Sequence, residues 1–172
     1  MDIETIIIPT IQHTGTWYLM GLIERLGLSV SLWEQNRETE ARQVHFSKEF
    51  IDPKNYPYPN LDVNYITTEE LRSYLLKGHR VVVPLRHPVR SFQTTIKRGQ
   101  LDNDFIAHSY NALCDLWEEF KFPIFLVGDY DYEFRIKQLQ RMCNDLKLYL
   151  NHEAINYVKE DKARNRTIEH YW

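Results

Sequence analysis

The sequence predicts an α/β fold in which a mostly parallel sheet is flanked by helices in three layers. Short apolar runs rich in β-branched residues alternate along the chain with segments whose apolar residues recur at helical spacing. Two of these runs, 5–9 and 80–85, lead through a short turn directly into an amphipathic helix. This alternation is typical of a parallel sheet, not of separate helical and strand regions.

The predicted elements follow one another in a regular order. Apolar runs predict strands at 5–9, 29–32, 80–85 and 123–127. Helical spacing predicts helices at 16–26, 68–77, 89–98, 103–120 and 133–150. Pro88 fits the first turn of the third helix. The segment 47–67 is rich in Pro, Asn, Asp and Tyr and predicts a long irregular loop, and the charged tail from Lys159 predicts an exposed end.

Length, charge and cysteine content limit the number of domains, the partners and the location that the sequence allows. The chain has 172 residues, 43% of them hydrophobic, which suits one domain (1–172) with a core of ordinary size. A net charge of −3 and a pI near 6.2 indicate no general attraction to nucleic acid or to anionic membranes. Cys114 and Cys143 lack the spacing of a zinc site and are expected to be buried, reduced thiols. The acidic N-terminus resembles neither a signal peptide nor a membrane span, so a soluble, cytoplasmic protein is expected.

The segment from Thr5 to Leu26 combines a strand, a Thr/Gly turn and a helix. Backbone N–H groups in such a turn and the positive end of the helix dipole converge on one point, where a phosphate can bind. Gly15 lets the backbone approach an anion closely, and Thr14 and Thr16 offer hydroxyl donors. The alternative is an ordinary turn in which Thr14 caps the helix.

This turn differs from the nucleotide triphosphatase loop GxxxxGK(S/T). There the Lys reaches the terminal phosphates and the Ser or Thr hydroxyl holds magnesium. This chain has Gly15, Thr16 and Trp17 at the corresponding place, and its basic residue, His13, precedes the glycine. A kinase or an ATPase is therefore disfavoured.

A second strand-to-helix segment, His79 to Gly99, ends its strand at Arg86. Ligands of open parallel sheets bind at the carboxyl ends of the strands, so Arg86 and His13 are expected to face one crevice. Thr94 lies about two turns beyond Arg86 on the following helix. A surface ion pair is the alternative role for Arg86.

Together these motifs resemble those of the sulfotransferases that use 3′-phosphoadenosine 5′-phosphosulfate (PAPS). The run from Gln12 to Thr16, QHTGT, resembles the QKTGT form of the family's 5′-phosphosulfate loop. Arg86-His87-Pro88 with Thr94 is similar to the 3′-phosphate motif, in which a strand-ending Arg is followed eight residues later by a Ser. The segment from Phe125 to Phe134 resembles the family's late strand, acidic turn and helix.

The resemblance implies a P-loop-containing nucleotide hydrolase-like fold of the sulfotransferase type. It implies transfer of a sulfuryl group from PAPS to a hydroxyl or amine of a small-molecule or glycan acceptor, without a metal, leaving adenosine 3′,5′-bisphosphate. It assigns Arg86 and Thr94 to the 3′-phosphate. The residues assigned to the 5′-phosphosulfate are Gln12, His13, Thr14, Gly15, Thr16 and Trp17. For Trp17, packing in the core is the alternative.

Two histidines are the implied catalytic residues. His13 stands where the family has a lysine that stabilises the departing phosphate; imidazole is shorter and only partly protonated near neutral pH, although anionic phosphates favour its charged form. His45 resembles the family's general base, with Glu34 or Glu49 as alternative bases and a structural or exposed histidine as the alternative role for His45. The family's C-terminal basic loop implies Lys162, Arg164 and Arg166 near the 3′-phosphate, with a solvent-exposed tail as the alternative. Long loops beside a site often select the substrate, so Tyr56, Tyr58 and Tyr65 are candidates to stack on an acceptor ring, with packing of a solvent-facing loop as the alternative.

Two other functions stay open. A nucleotide-binding module of the same fold that has lost turnover would follow from the replacement of lysine by His13. A P-loop kinase of small molecules would bind ATP with magnesium, and the missing GK(S/T) disfavours it.

Overall fold

Strands and helices alternate along most of the chain. The structure, a computed structural model, describes residues 5–11, 13–32, 40–46, 65–97 and 103–160. The strands are β1 (Ile6–Thr10), β2 (Val30–Leu32), β3 (Ala41–Phe46), β4 (Tyr65–Ile66), β5 (Arg80–Val81), β6 (Val83–Leu85) and β7 (Ile124–Leu126). The helices are α1 (Thr16–Arg25), α2 (Thr68–Leu76), α3 (Pro88–Lys97), α4 (Asn103–Phe120), α5 (Tyr132–Leu146) and α6 (His152–Lys159).

The central strand of the sheet is β1. β3 pairs with its whole length on one side, so that Thr10 lies beside His45 at the carboxyl end. β5 pairs with the other side, and the N–H of Val82 extends this contact by donating to the Ile7 carbonyl (3.1 Å). β2 and β4 both pair with β3, and β6 pairs with β7. Every strand pair in the described residues is parallel, so the carboxyl ends of the strands share one edge.

Helices cover both faces of this sheet. Successive residues of a strand point to opposite faces, and in β1 Ile6 and Ile8 pack into one apolar cluster while Ile7 packs into another. The first cluster contains residues of α1, α5 and α6, and the second contains residues of α2 and α4. The predicted α/β class, with a mostly parallel sheet flanked by helices, is therefore confirmed.

The strand β3 is missing from the sequence prediction. Its interior contains Gln43 and His45, which are polar but buried. Gln43 Nε2 donates to the Thr10 hydroxyl on β1 (2.9 Å), which satisfies a polar group between two central strands. A strand that buries such residues lacks the continuous apolar run on which sequence prediction depends. The predicted strand 80–85 is likewise divided, because Val82 separates β5 from β6.

The predicted helix at 133–150 ends earlier, at Leu146 of α5, and a further helix, α6, lies beyond the predicted range. α5 stops at Lys147, which adopts the left-handed conformation (φ 55°), and α6 starts after Asn151. Asn151 Oδ1 accepts a hydrogen bond from the Ala154 N–H (2.9 Å), and its Nδ2 donates to the Arg25 carbonyl (2.7 Å). Asn151 therefore caps α6 and ties it to the end of α1.

The outer side of β7 is bound by a side chain of α5. The Val127 N–H donates to the Leu85 carbonyl on β6 (2.8 Å), so the peptide groups of Leu126 face the opposite way. There the Gln138 Oε1 accepts from the Leu126 N–H (2.8 Å) and the Gln138 Nε2 donates to the Leu126 carbonyl (3.1 Å). α5 is thereby fixed against the strand that precedes it.

Candidate functional site

Two loops meet at the carboxyl edge of the sheet. The first loop (Ile11 to Gly15) connects β1 to α1, and the second loop (Arg86 and His87) connects β6 to α3. Gly15 lies against Val127 at the end of β7, so closely that a Cβ atom at Gly15 would be 2.7 Å from Val127 side-chain atoms. β6 contacts β1 and pairs with β7, so its carboxyl end, where the second loop begins, lies between β1 and Val127.

The backbone conformation of the first loop allows an anion to approach its N–H groups closely. The φ angle is positive at His13 (60°) and at Gly15 (91°), on either side of Thr14. Alternation of this kind turns neighbouring backbone N–H groups toward a shared concavity that can hold an anion. The buried Thr14 hydroxyl donates to the Ile11 carbonyl (2.7 Å). A hydroxyl has one hydrogen, and that of Thr14 is used within the loop. Hydrogen bonds to an anion would therefore come from backbone N–H groups and from the Thr16 hydroxyl.

The N-terminus of α1 is open at this loop. Gly15 is the N-cap residue, and no side chain in the described ranges caps the helix. The first turn of α1 contains no acidic residue. The alternative in which Thr14 caps the helix is therefore wrong, and the positive end of the α1 dipole meets the first loop without a carboxylate from the first turn of α1.

Arg86 is buried, with 9% of its surface exposed, directly after β6. Burial raises the pKa of the Tyr110 phenol above its ordinary value, and the nearby Arg86 guanidinium partly offsets this effect. Thr94, on α3, is also buried, and its hydroxyl donates to the Arg90 carbonyl (2.9 Å). A hydrogen bond from this hydroxyl to a phosphate therefore requires its hydrogen to turn away from the Arg90 carbonyl.

Two further hydroxyls connect the loops. Ser91 Oγ donates to the His13 carbonyl in the first loop (3.1 Å) and lies 3.2 Å from the Tyr110 hydroxyl. The Tyr110 hydroxyl donates to the Arg86 carbonyl in the second loop (2.9 Å). The structure thus brings together the two segments that carry the predicted binding residues.

The comparisons with known proteins give no family for this chain. No family model matches the sequence. No curated protein matches it. Function is therefore inferred from the residues of the site.

His45 lies at the end of β3, beside Thr10 and next to the first loop. Its side chain is buried, and its ring centroid is 5.8 Å from that of Tyr65. Burial, with a smaller contribution from the charge of His13, lowers the pKa of His45 from 6.5 to about 4. The imidazole is therefore neutral at physiological pH, which is the form that accepts a proton.

His45 is expected to make the protein less stable in mild acid. The folded state keeps His45 neutral down to about pH 4, whereas the unfolded chain takes up its proton below pH 6.5. Protonation between these values favours unfolding, by up to roughly 3 kcal/mol at the lower end. Urea unfolding between pH 7 and pH 4 should show a smaller loss of stability in His45→Gln than in the wild type. His108→Gln, at an exposed position on α4, is the control; an unchanged pH dependence in His45→Gln would contradict the expectation.

Several other predicted residues have different surroundings from those expected. Trp17 is 54% exposed in the first turn of α1, so the alternative of core packing is wrong. Tyr65 lies in β4 rather than in an irregular loop, half buried, with its ring edge-on to Phe105 at 6.3 Å. Cys143 is buried as expected, which raises its pKa to about 11, but Cys114 is exposed. The expectation of two buried thiols is therefore wrong for Cys114.

Part of the predicted site lies outside the described residues. This applies to the following: Gln12, Glu34, Glu49, Tyr56, Tyr58, Lys162, Arg164 and Arg166. Among the residues that the structure describes, no group of three or more His, Cys, Asp or Glu side chains is arranged to hold a metal ion. No helix in the same ranges is long and apolar enough to cross a membrane.

Proposed function

We propose that this protein is a small sulfotransferase that moves the sulfuryl group of PAPS to a hydroxyl or amine of an acceptor. The observation that carries the proposal is the meeting of the two loops at one edge of the sheet. The first loop and the open end of α1 suit the 5′-phosphosulfate, and Arg86 of the second loop suits the 3′-phosphate. The parallel sheet, with a loop of this type after its central strand, supports a P-loop-like fold.

Sulfuryl transfer depends mainly on the positioning of the two substrates and on stabilisation of the charge that develops on the departing phosphate. The acceptor oxygen or nitrogen attacks sulfur, the bond from sulfur to the 5′-phosphate oxygen breaks, and the acceptor proton passes to a base. In the proposed mechanism, protonated His13 stabilises the departing phosphate. His45, which is neutral at physiological pH, takes the acceptor proton.

The charge of His13 affects the pKa of His45, and donor binding would change this effect in a direction that favours catalysis. His13 contributes to the lowered pKa of His45, because a positive charge nearby disfavours a second one. A bound phosphosulfate would neutralise the charge of His13 and so raise the pKa of His45. Donor binding would therefore make His45 a stronger base at the moment when one is needed.

Calorimetric titration tests the proposal. We expect adenosine 3′,5′-bisphosphate to bind without magnesium, and at least about tenfold more tightly than ATP, because its second phosphate meets Arg86. EDTA should leave this binding unchanged. Binding of ATP alone, with a requirement for magnesium, would overturn the proposal in favour of phosphoryl transfer. Binding of neither nucleotide would reject both functions.

A nucleotide-binding module without turnover is the second candidate. It is favoured by His13 in place of a lysine and by the low pKa of His45, both of which weaken catalysis. Two results together would select this candidate. The protein would bind the bisphosphate, and it would transfer no sulfuryl group from PAPS to phenol, sugar or amine acceptors.

A further inference from the structure

Ser91 and Tyr110 form the bridge between the first and second loops, and neither belongs to the predicted site. We propose that they are positioning residues, which hold the two loops at a fixed separation so that one ligand with two phosphate groups engages both. This role rests on the proposed function. It adds two residues, from α3 and α4, that touch no ligand but determine how well a bisphosphate fits.

The bridge acts on the backbone that faces the ligand. The His13 carbonyl, held by Ser91, belongs to the same peptide group as the N–H of Thr14. The Arg86 carbonyl, held by Tyr110, belongs to the same peptide group as the N–H of His87. A trans peptide is planar, with its N–H opposite its carbonyl, so fixing each carbonyl also fixes the direction of an N–H in each loop.

Burial makes the bridge rigid. Ser91 is fully buried, and its hydroxyl together with that of Tyr110 makes three contacts with two hydrogens. Moving the first loop would leave the buried Ser91 hydroxyl without its carbonyl partner, which costs more than the bond contributes when made. Because burial raises the pKa of Tyr110, its hydroxyl keeps the hydrogen on which the link to Arg86 depends.

A purely structural role makes a different prediction from a positioning role. Structural damage at the bridge would weaken every ligand of the site to a similar extent. Loss of positioning would weaken a ligand that spans both loops and would spare a ligand that uses only the first. Adenosine 3′,5′-bisphosphate and adenosine 5′-monophosphate are such a pair.

Titration of these two nucleotides tests the bridge. In Tyr110→Phe and in Ser91→Ala, bisphosphate affinity is expected to fall about tenfold, while affinity for the 5′-monophosphate changes less than about twofold. The double variant should lose little more than either single variant, because the two hydroxyls act as one unit. Equal losses for both nucleotides, or no loss for either, would overturn the proposal.

Tyr157→Phe is the matched control. Tyr157 also has a buried hydroxyl that donates to a backbone carbonyl, that of Tyr18 (3.2 Å), but it joins α6 to α1. The variant loses a comparable bond without touching the bridge, so the ratio of the two nucleotide affinities should stay at its wild-type value.

Hydrogen exchange separates failure of this proposal from failure of the proposed function. If the wild type binds neither nucleotide, the sulfotransferase proposal fails, and amide exchange in the ligand-free protein then tests the bridge by itself. Tyr110→Phe is expected to speed exchange in the first loop, to which the Tyr110 hydroxyl is linked through Ser91, as well as in the second. A change confined to the second loop would show that the two loops are not coupled.

Discussion

Gly15→Ala is expected to destabilise the protein by about 2–5 kcal/mol and to abolish nucleotide binding at the first loop. Two effects add at this position. The φ angle of 91° costs a residue with a Cβ atom about 1–2 kcal/mol. The new Cβ would also lie 2.7 Å from the Val127 side chain, and overpacking of this kind costs about 1–3 kcal/mol. Any relief of the clash moves the backbone of the first loop, where we propose that the 5′-phosphosulfate binds.

Gly27→Ala separates the two effects. Gly27 has nearly the same φ angle (93°), but a Cβ atom there would meet nothing within 4 Å. Urea unfolding should therefore show only the conformational cost, about 1–2 kcal/mol, and nucleotide affinity should be unchanged. Equal destabilisation by the two substitutions would mean that the contact with Val127 contributes nothing.

Arg86→Ala is expected to weaken binding of adenosine 3′,5′-bisphosphate by about 10- to 150-fold, the equivalent of roughly 1.5–3 kcal/mol for a charged hydrogen bond. Binding of adenosine 5′-monophosphate should change little, because that ligand lacks the second phosphate. Arg86→Lys keeps the charge without the planar fork and should give an intermediate affinity in the same calorimetric titration.

Arg90→Ala is the control for Arg86. Arg90 is exposed on α3 and pairs with Asp129 at 3.2 Å, so its loss removes a surface ion pair worth at most about 1 kcal/mol. Arg86 is buried, and thermal unfolding of each variant should therefore accompany the titration. A folded Arg86→Ala protein with wild-type bisphosphate affinity would remove Arg86 from the binding site.

The parts of the fold that local sequence determines could be predicted. The three isoleucines of β1 form a strand because they pack on both faces of the sheet. α3 begins at Pro88, whose fixed φ angle suits the first turn of a helix. The Thr/Gly turn before α1 and the strand-ending Arg86 follow from equally short patterns, and the structure brings them to the same edge.

The remaining features depend on contacts between distant segments. β3 escaped prediction because Gln43 is polar in sequence but satisfied in space by Thr10, 33 residues away. The contact between Ser91 and the first loop joins residues 78 positions apart, and a serine within a helix gives no local signal of such a partner. Trp17 shows the opposite limit: its apolar surface suggests the core, but its place in the first turn of α1 exposes it.

Gln138 covers the outer edge of β7 at Leu126. A strand whose N–H and carbonyl groups point outward is a template on which another chain can add a strand, and such addition leads to domain swapping and aggregation. The primary amide of Gln138 supplies one donor and one acceptor to Leu126, as a neighbouring peptide would. A single side chain of α5 therefore occupies the outward-facing groups of Leu126, at the carboxyl end of β7, and a foreign strand would have to displace it to pair there.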